Sequence, residues 1–426
     1  MEGAYNDPRS RSMPADFTGG HRGPRATRAP RRTEPIHRRS PRDNPLSMPA
    51  NLVTWSFPTT IVFGVGALAT LPGHVKRVGA KRALVVCDAG VVKAGIAEQV
   101  KKVLEAGGIP VAVFDKVDPN PVEKNIFDGV DAYNAHGADI VIALGGGSPL
   151  DAGKLIALKT THERPLQDYD DAIDGGNHVT SNVPPILTIP TTAGTGSEVG
   201  RSGVVTLPST GRKTVIFSPH LLAKAAILDP ALTRSMPPRI TAATGFDALT
   251  HCLEAYCSVG DHPMADAIAL GGLELCATHL ARAVSNGDDL EARGGMMKAA
   301  MMGAVAFQKG LGACHSLAHP LSSEKGLHHG LSNALCLPAV VEFNDDVIHA
   351  KLERIRGILT PTAKTLADGL RQLRAAIGLP GGMRSEGVTE ADIAKLADKA
   401  AEDACHRCNP KPTSRDDLAG LYRASL

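Results

Sequence analysis

From residue 58 onward, short apolar runs alternate with longer stretches in which apolar residues recur every three or four positions. PTTIVF (58–63), RALVVCD (82–88), PVAVFD (110–115), DIVIALGGG (139–147), PILTIP (185–190) and AAILDP (225–230) are rich in Val and Ile and bounded by Gly, Pro or Asp. That pattern predicts buried strands. Between them AEQVKKVLEAGG (97–108) and VEKNIFDGVDAYNAHG (122–137) carry the helical period. Strands alternating with helices predict a parallel sheet with helices on its faces. After about residue 236 the strands stop. The Ala/Leu/Met-rich segments ITAATGFDALTHCLEAYC, MADAIALGGLELCATHLARAV and EARGGMMKAAMMGAVAFQ predict a second, all-α part. Thr389 and Asp392 in TEADIAKLADKA predict a capped helix start. No internal repeat is visible.

Residues 1–50 show no such periodicity. They combine proline with arginine, serine and glycine, which predicts a disordered basic tail. The division read from the pattern is therefore a tail over 1–50, an α/β domain over 51–235 and a helical domain over 236–426. Charge follows the same division. Residues 1–47 hold ten arginines and five acids, a net +5, while the remainder holds 36 basic and 39 acidic residues, a net −3. A near-neutral body argues against a nucleic-acid-binding surface there. The tail lacks the apolar centre of a signal peptide, and its prolines oppose an amphipathic transit helix. Met48, just before the first folded-looking segment, is an alternative start of translation.

The eight cysteines are scattered, and Cys405 and Cys408 in CHRC have no second CxxC to complete a zinc site. Reduced thiols and a cytoplasmic location are expected. No run of eighteen apolar residues is present, so no membrane span is expected.

Candidate chemistry begins at GGGSPLDAGK (145–154), which follows the run DIVIAL and opens a helical pattern. Glycines let backbone N–H groups approach a diphosphate, and a helix N-terminus favours negative charge. It is not a Walker A loop, which needs GKS or GKT after its second glycine. FGVGALA (63–69) mimics a GxGxxA turn but lacks a suitably placed acid downstream, so it reads as structural. The acid favoured for the adenosine ribose is Asp88, which would also repel the 2′-phosphate of NADP and so points to NAD. The plainer reading is that Asp88 caps the following turn. PTTAGTGSE (190–198) is a second polar, glycine-containing loop at a strand end, suited to a ribose or phosphates.

Four of the sixteen histidines fall in HSLAHPLSSEKGLHHG (315–330). Asp247 and His251 are spaced i, i+4, as are His315 and His319, so on helices each pair shares a face. His329 follows fourteen residues after His315. One such pair is ordinarily a surface hydrogen bond. Two pairs and a further histidine in largely apolar helical segments point instead to a divalent metal, since buried polar groups need partners. HSLAH lacks the Glu of a zincin HExxH motif.

In combination these motifs resemble the iron-containing (group III) alcohol dehydrogenase family over about residues 55–426. GGGSPLDAGK and PTTAGTGSEV match its two cofactor loops, and GFDALTHCLEAY and GLGACHSLAHPLSSEKGLHHGLSNALCLPAV its two metal segments. The resemblance implies a dehydroquinate synthase-like fold: an N-terminal α/β dinucleotide-binding domain and an all-α C-terminal domain, with the site in the cleft between them. It implies an enzyme that interconverts a small alcohol and its aldehyde with NAD and Fe2+, or Zn2+ or another divalent ion, in a homo-oligomer. The metal ligands it implies are Asp247, His251, His315 and His329, with His329 preferred to His328 because it precedes Gly330. Cofactor contacts would fall on Asp88, Asn120, Gly146, Gly147, Ser148, Asp151, Thr191, Thr192, Thr195 and Lys213. His319 is the implied proton-relay or substrate-contacting residue. Ser322 and Ser323 stand where many members have glycine, so the turn after HPL is expected to differ. Arg201 would favour an ω-hydroxy acid of the 4-hydroxybutyrate type if it faced the cleft; a surface salt bridge is its plainer role. A related reductase keeps the same fold, and a metal-dependent hydrolase is the alternative of a different class.

Overall fold

Six apolar runs build one parallel sheet in the computed structural model, which describes residues 56–208 and 211–426. The strands, in chain order, are β1 (Thr60–Phe63), β2 (Ala83–Val86), β3 (Val111–Phe114), β4 (Ile140–Gly145), β5 (Ile186–Pro190), β6 (Ser202–Leu207), β7 (Arg212–Phe217) and β8 (Ala225–Leu228). The sheet runs β1-β8-β5-β4-β2-β3, and every neighbouring pair is parallel. The tail predicted over 1–50, and Met48 with it, lie outside the described residues.

The α/β half carries α1 (Leu71–Arg77), α2 (Ala89–Lys93), α3 (Ile96–Ala106), α4 (Glu123–His136) and α5 (Gly147–Lys159). Residues of β2, β4, β5 and β8 are buried without exception, as strands covered on both faces must be. Side chains alternate between the faces. Ala83 and Val85 pack with Leu71, Val100 and Leu104 on one side, while Leu84 and Val86 pack with Ile126, Leu155 and Ile156 on the other.

The strand pair β6–β7 is not among the predicted elements. It is an antiparallel hairpin outside the sheet, with alternate residues of β6 buried. Its apolar residues come in runs of only two (Val204, Val205) and three (Val215–Phe217) among Ser, Gly, Thr and basic residues, too short to stand out in a search for buried strands. Thr206 N–H donates to Pro121 O at 2.7 Å and ties the hairpin to the loop after β3.

From Pro238 the chain is helical: α6 (Pro238–Cys257), α7 (Pro263–Ser285), α8 (Leu290–Ala306), α9 (Ala313–Lys325), α10 (His329–Leu359), α11 (Leu366–Ala376), α12 (Glu390–Glu402) and α13 (Arg415–Ala424). Helix α7 is long and apolar enough, by length and composition alone, to cross a membrane, although no unbroken run of eighteen apolar residues is present. Here it packs against α6 and α8, with Leu273, Cys276 and Leu280 buried in the helical core. Pro338 lies inside α10 and leaves the Ala334 carbonyl without its helical donor. The buried Arg374 of α11 supplies one, its Nη1 lying 3.1 Å from Ala334 O. Thr389 and Asp392 form a reciprocal capping box at the start of α12. Ser322 and Ser323 are helical residues of α9, so no turn follows HPL; the reversal comes at Gly326, whose φ of 69° is left-handed.

Candidate metal and cofactor centre

The loops that follow the carboxyl ends of β2, β3, β4 and β5 form one edge of the sheet. They contain Asp88, Asn120, Gly146–Ser148 and Thr191–Thr195 respectively. The strand order reverses between β2 and β4, where open α/β sheets leave a crevice for ligands. At this point Gly145 has a φ of 143° and Gly146 is the N-cap of α5, so the first N–H groups of α5 face the crevice. Asp88 caps α2 by accepting from Val91 N–H at 2.9 Å, so its plainer reading describes the structure and leaves the second oxygen available. Ser148 Oγ donates to Pro119 O at 2.5 Å, holding the segment that carries the exposed Asn120 against α5.

The second loop touches the first. A Cβ on Gly147 would lie 2.8 Å from Thr195 Cγ2, so this approach requires glycine. Thr191 N–H donates to Gly145 O at 2.9 Å. Beneath both loops sits Lys154, fully buried, which donates to Ser197 O (2.7 Å), Ser197 Oγ (2.8 Å) and Ser202 O (2.8 Å). Ser197 Oγ donates in turn to Asp151 Oδ1 at 2.5 Å. Burial pushes the Asp151 carboxyl up and the Lys154 ammonium down, each opposed by the other's charge. Lys213 of β7 is also depressed by burial, with Asp151 opposing.

The same second loop borders α6, since Gly194 lies against Thr244, one turn before Asp247. Asp247 and His251 of α6, His315 of α9 and His329 at the start of α10 each place a ligand atom so that all four atoms lie within 4.8 Å of one another. Asp247 Oδ1 is 3.5 Å from His329 Nε2 and 4.0 Å from His315 Nε2. The rings of His251 and His315 stack at 4.7 Å. Asn333 Nδ2 donates to Asp247 Oδ1 at 2.8 Å and lies 3.4 Å from Nε2 of both His315 and His329. One carboxylate oxygen and three imidazole nitrogens are thus gathered in one small region, and their chemistry fits a borderline divalent cation.

Burial raises the Asp247 carboxyl, but the three imidazoles and Asn333 outweigh it and hold the group at about 2. Burial lowers His251 to about 4 against the pull of Asp247, and lowers His329 well below the ordinary imidazole value. Burial also acts to lower His315, but Glu254 reverses the direction and raises it.

His319 stands beside the group, its ring stacked on His329 at 5.3 Å. Its Nδ1 is 2.7 Å from Asp403 Oδ2, and Asp403 Oδ1 accepts from Ser316 Oγ (2.7 Å) and Cys405 N–H (2.8 Å). His328 instead lines a cavity of about 210 Å3 with Arg239, Ile240, Leu327 and Leu331. Arg201 donates to Ser56 Oγ at 3.1 Å and lies over the Phe217 ring at 5.1 Å. Sequence reasoning missed Lys154, Glu254, Asn333 and Asp403. Glu254 had a signal: with Asp247 and His251 it repeats i, i+4, i+7 along one helix face.

The family described as iron-containing alcohol dehydrogenase matches residues 58–230, and its C-terminal part matches residues 241–426. The chain is 41% identical over 380 residues to the 4-hydroxybutyrate dehydrogenase of Cupriavidus necator, covering 86% of this chain and 98% of that protein. It is 35% identical over 388 residues to the NAD-dependent methanol dehydrogenase of Bacillus methanolicus, covering 88% and 100%. Among solved structures, that of a 1,3-propanediol oxidoreductase superposes with a TM-score of 0.84 at 35% identity, over 88% of this chain and all of the other. With both halves of the chain matched and the likeness running nearly end to end in these relatives, the protein belongs to the iron-containing alcohol dehydrogenase family of oxidoreductases acting on CH–OH groups.

Proposed function

We propose that this chain uses NAD and a divalent metal to interconvert a small primary alcohol and its aldehyde. The observation that carries the reading is the convergence of one carboxylate and three imidazoles within 4.8 Å, beside a loop that also borders the glycine turn at the start of α5. Asp247, His251, His315 and His329 would hold Fe2+, and zinc or another divalent ion also suits this donor set. Gly146, Gly147 and Ser148 would receive the diphosphate at a helix N-terminus. Thr191, Thr192 and Thr195 form the facing wall, Asp151 and Lys213 its base, and Asp88 and Asn120 the ribose side. In this reading residues 51–235 serve the cofactor and 236–426 the metal.

When bound, the metal supplies a Lewis acid that lowers the pKa of an alcohol hydroxyl, and the nicotinamide supplies the hydride acceptor. The protein's own residues place the reacting carbon in a dry cleft and handle the proton. His319 suits the second task. Asp403 holds its Nδ1–H, which leaves Nε2 as the base. The side chain is about one-third exposed, so a proton taken there passes to solvent.

The similarity to a 4-hydroxybutyrate dehydrogenase favours an ω-hydroxy acid as a second substrate reading. Arg201→Ala tests the carboxylate contact, with a raised KM for ω-hydroxy acids only; an unchanged KM removes that contact. The reading as a whole carries with it a cytoplasmic homo-oligomer acting on a small molecule, which light scattering and cell fractionation test. The decisive experiment is a screen of alcohols with NAD and NADP on the purified protein, with metal content measured alongside. NADH formation with metal bound is expected. Cleavage of esters or phosphates with no NADH formed would transfer the site to the hydrolase class.

A further inference from the structure

Glu254 is 3% exposed and contributes nothing to the four-residue donor group, yet it lies one turn beyond His251 on the same helix. Its carboxylate is spent on the first turn of α9. Oε1 accepts from Cys314 N–H at 2.7 Å, and Oε2 accepts from His315 N–H at 3.3 Å and from His315 Nδ1 at 2.5 Å. His315 is the only ion-pair partner it has among the described residues. A buried carboxylate is thus satisfied by two N–H groups at a helix start and by one imidazole, all charge-assisted bonds.

Neutral imidazole carries its proton on either nitrogen, and the hydrogen bond at one decides the state of the other. Glu254 can only accept, so the proton of His315 is held on Nδ1. The lone pair is then on Nε2, the atom that faces Asp247 Oδ1 and Asn333 Nδ2. The same carboxylate anchors the backbone from which that ring projects. We infer that Glu254 is a positioning residue for the metal: it sets the tautomer and direction of His315 and strengthens Nε2 as a donor. The inference rests on the metal-binding reading above and adds a residue that never touches the ion.

The test is a Co2+ titration of the metal-free full-length protein, wild type against Glu254→Gln, with affinity measured by chelator competition and the visible cobalt bands recorded. Gln keeps the size and an acceptor for Cys314 N–H but removes the charge. A cobalt Kd raised roughly 10- to 100-fold, with displaced bands, is expected. An unchanged Kd and spectrum would reduce Glu254 to a helix cap. If the variant does not fold, the wild type still answers through 15N shifts of labelled histidine in the Zn2+-loaded protein: one ring whose protonated Nδ1 hydrogen-bonds to a carboxylate and whose Nε2 binds the metal is expected for His315, and Nδ1 ligation overturns the inference. Wild-type protein that binds neither Co2+ nor Zn2+ overturns the metal reading itself. Wild-type binding matched by the variant overturns only the role of Glu254.

Discussion

Lys154→Met removes a buried ammonium whose three hydrogen bonds join α5, the loop after β5 and the hairpin. Met fills much the same volume and donates nothing. The carbonyls of Ser197 and Ser202 lose a charged donor, Ser197 Oγ loses one of its bonds, and Asp151 loses its cation at 3.9 Å. Hydrogen bonds to charged groups contribute about 1.5–3 kcal/mol each. Relief from burying the ammonium offsets part of this, and breaking a buried charged partnership leaves a net loss of about 3 kcal/mol. At about 2 °C per kcal/mol for a chain of this size, the unfolding midpoint should fall by about 6 °C. The second consequence is functional. Each 1.4 kcal/mol needed to order the loop again on binding weakens a ligand about tenfold, so the NAD Kd should rise about tenfold or more. Differential scanning fluorimetry and calorimetric titration with NAD measure the two effects, and metal content should be unchanged. Unaltered NAD affinity would refute the reasoning that this lysine orders the loop after β5 for the cofactor, as would loss of metal in step with NAD.

Asp247→Asn takes the charge from the proposed ligand set. Metal affinity should fall at least about 100-fold, in line with about 3 kcal/mol for an uncompensated buried charge, and NAD-linked alcohol oxidation should go with it; full metal occupancy would exclude Asp247 as a ligand. Asp403→Asn leaves His319 without its anionic partner, so kcat should fall about tenfold or more with metal content intact, whereas metal lost in parallel would make Asp403 structural. Burial raises the Glu198 carboxyl from 4.5 to about 7. Between those values the unfolded chain ionises while the folded one keeps its proton, so stability contributed at low pH is lost as pH rises, by about 3 kcal/mol in all. Glu198→Gln abolishes that slope: urea unfolding should show the variant equal to wild type below about pH 4.5 and more stable above about pH 7, and parallel curves at all pH values would contradict the assignment.

The sheet was legible because its signals are local. A continuous run such as IVIALG is too short for a buried helix and, rich in Ile and Val and bounded by Asp139 and glycines, reads as a strand covered on both faces; the glycine turn at its end announces a close backbone approach. The helices of the second half follow equally from their composition, and the Asp–His spacing on α6 is a property of one helix. The bonds that make these residues into a site are not local. Glu254 meets His315 across 61 positions, Asn333 meets Asp247 across 86, Asp403 meets His319 across 84 and Lys154 meets Ser197 across 43. Which buried acceptor finds which donor depends on how the helices pack, and no periodicity within a segment encodes that. Asp88 shows the boundary well: its position at a strand end allowed a cap or a ribose contact, and only the folded chain reveals that one oxygen is already committed to Val91.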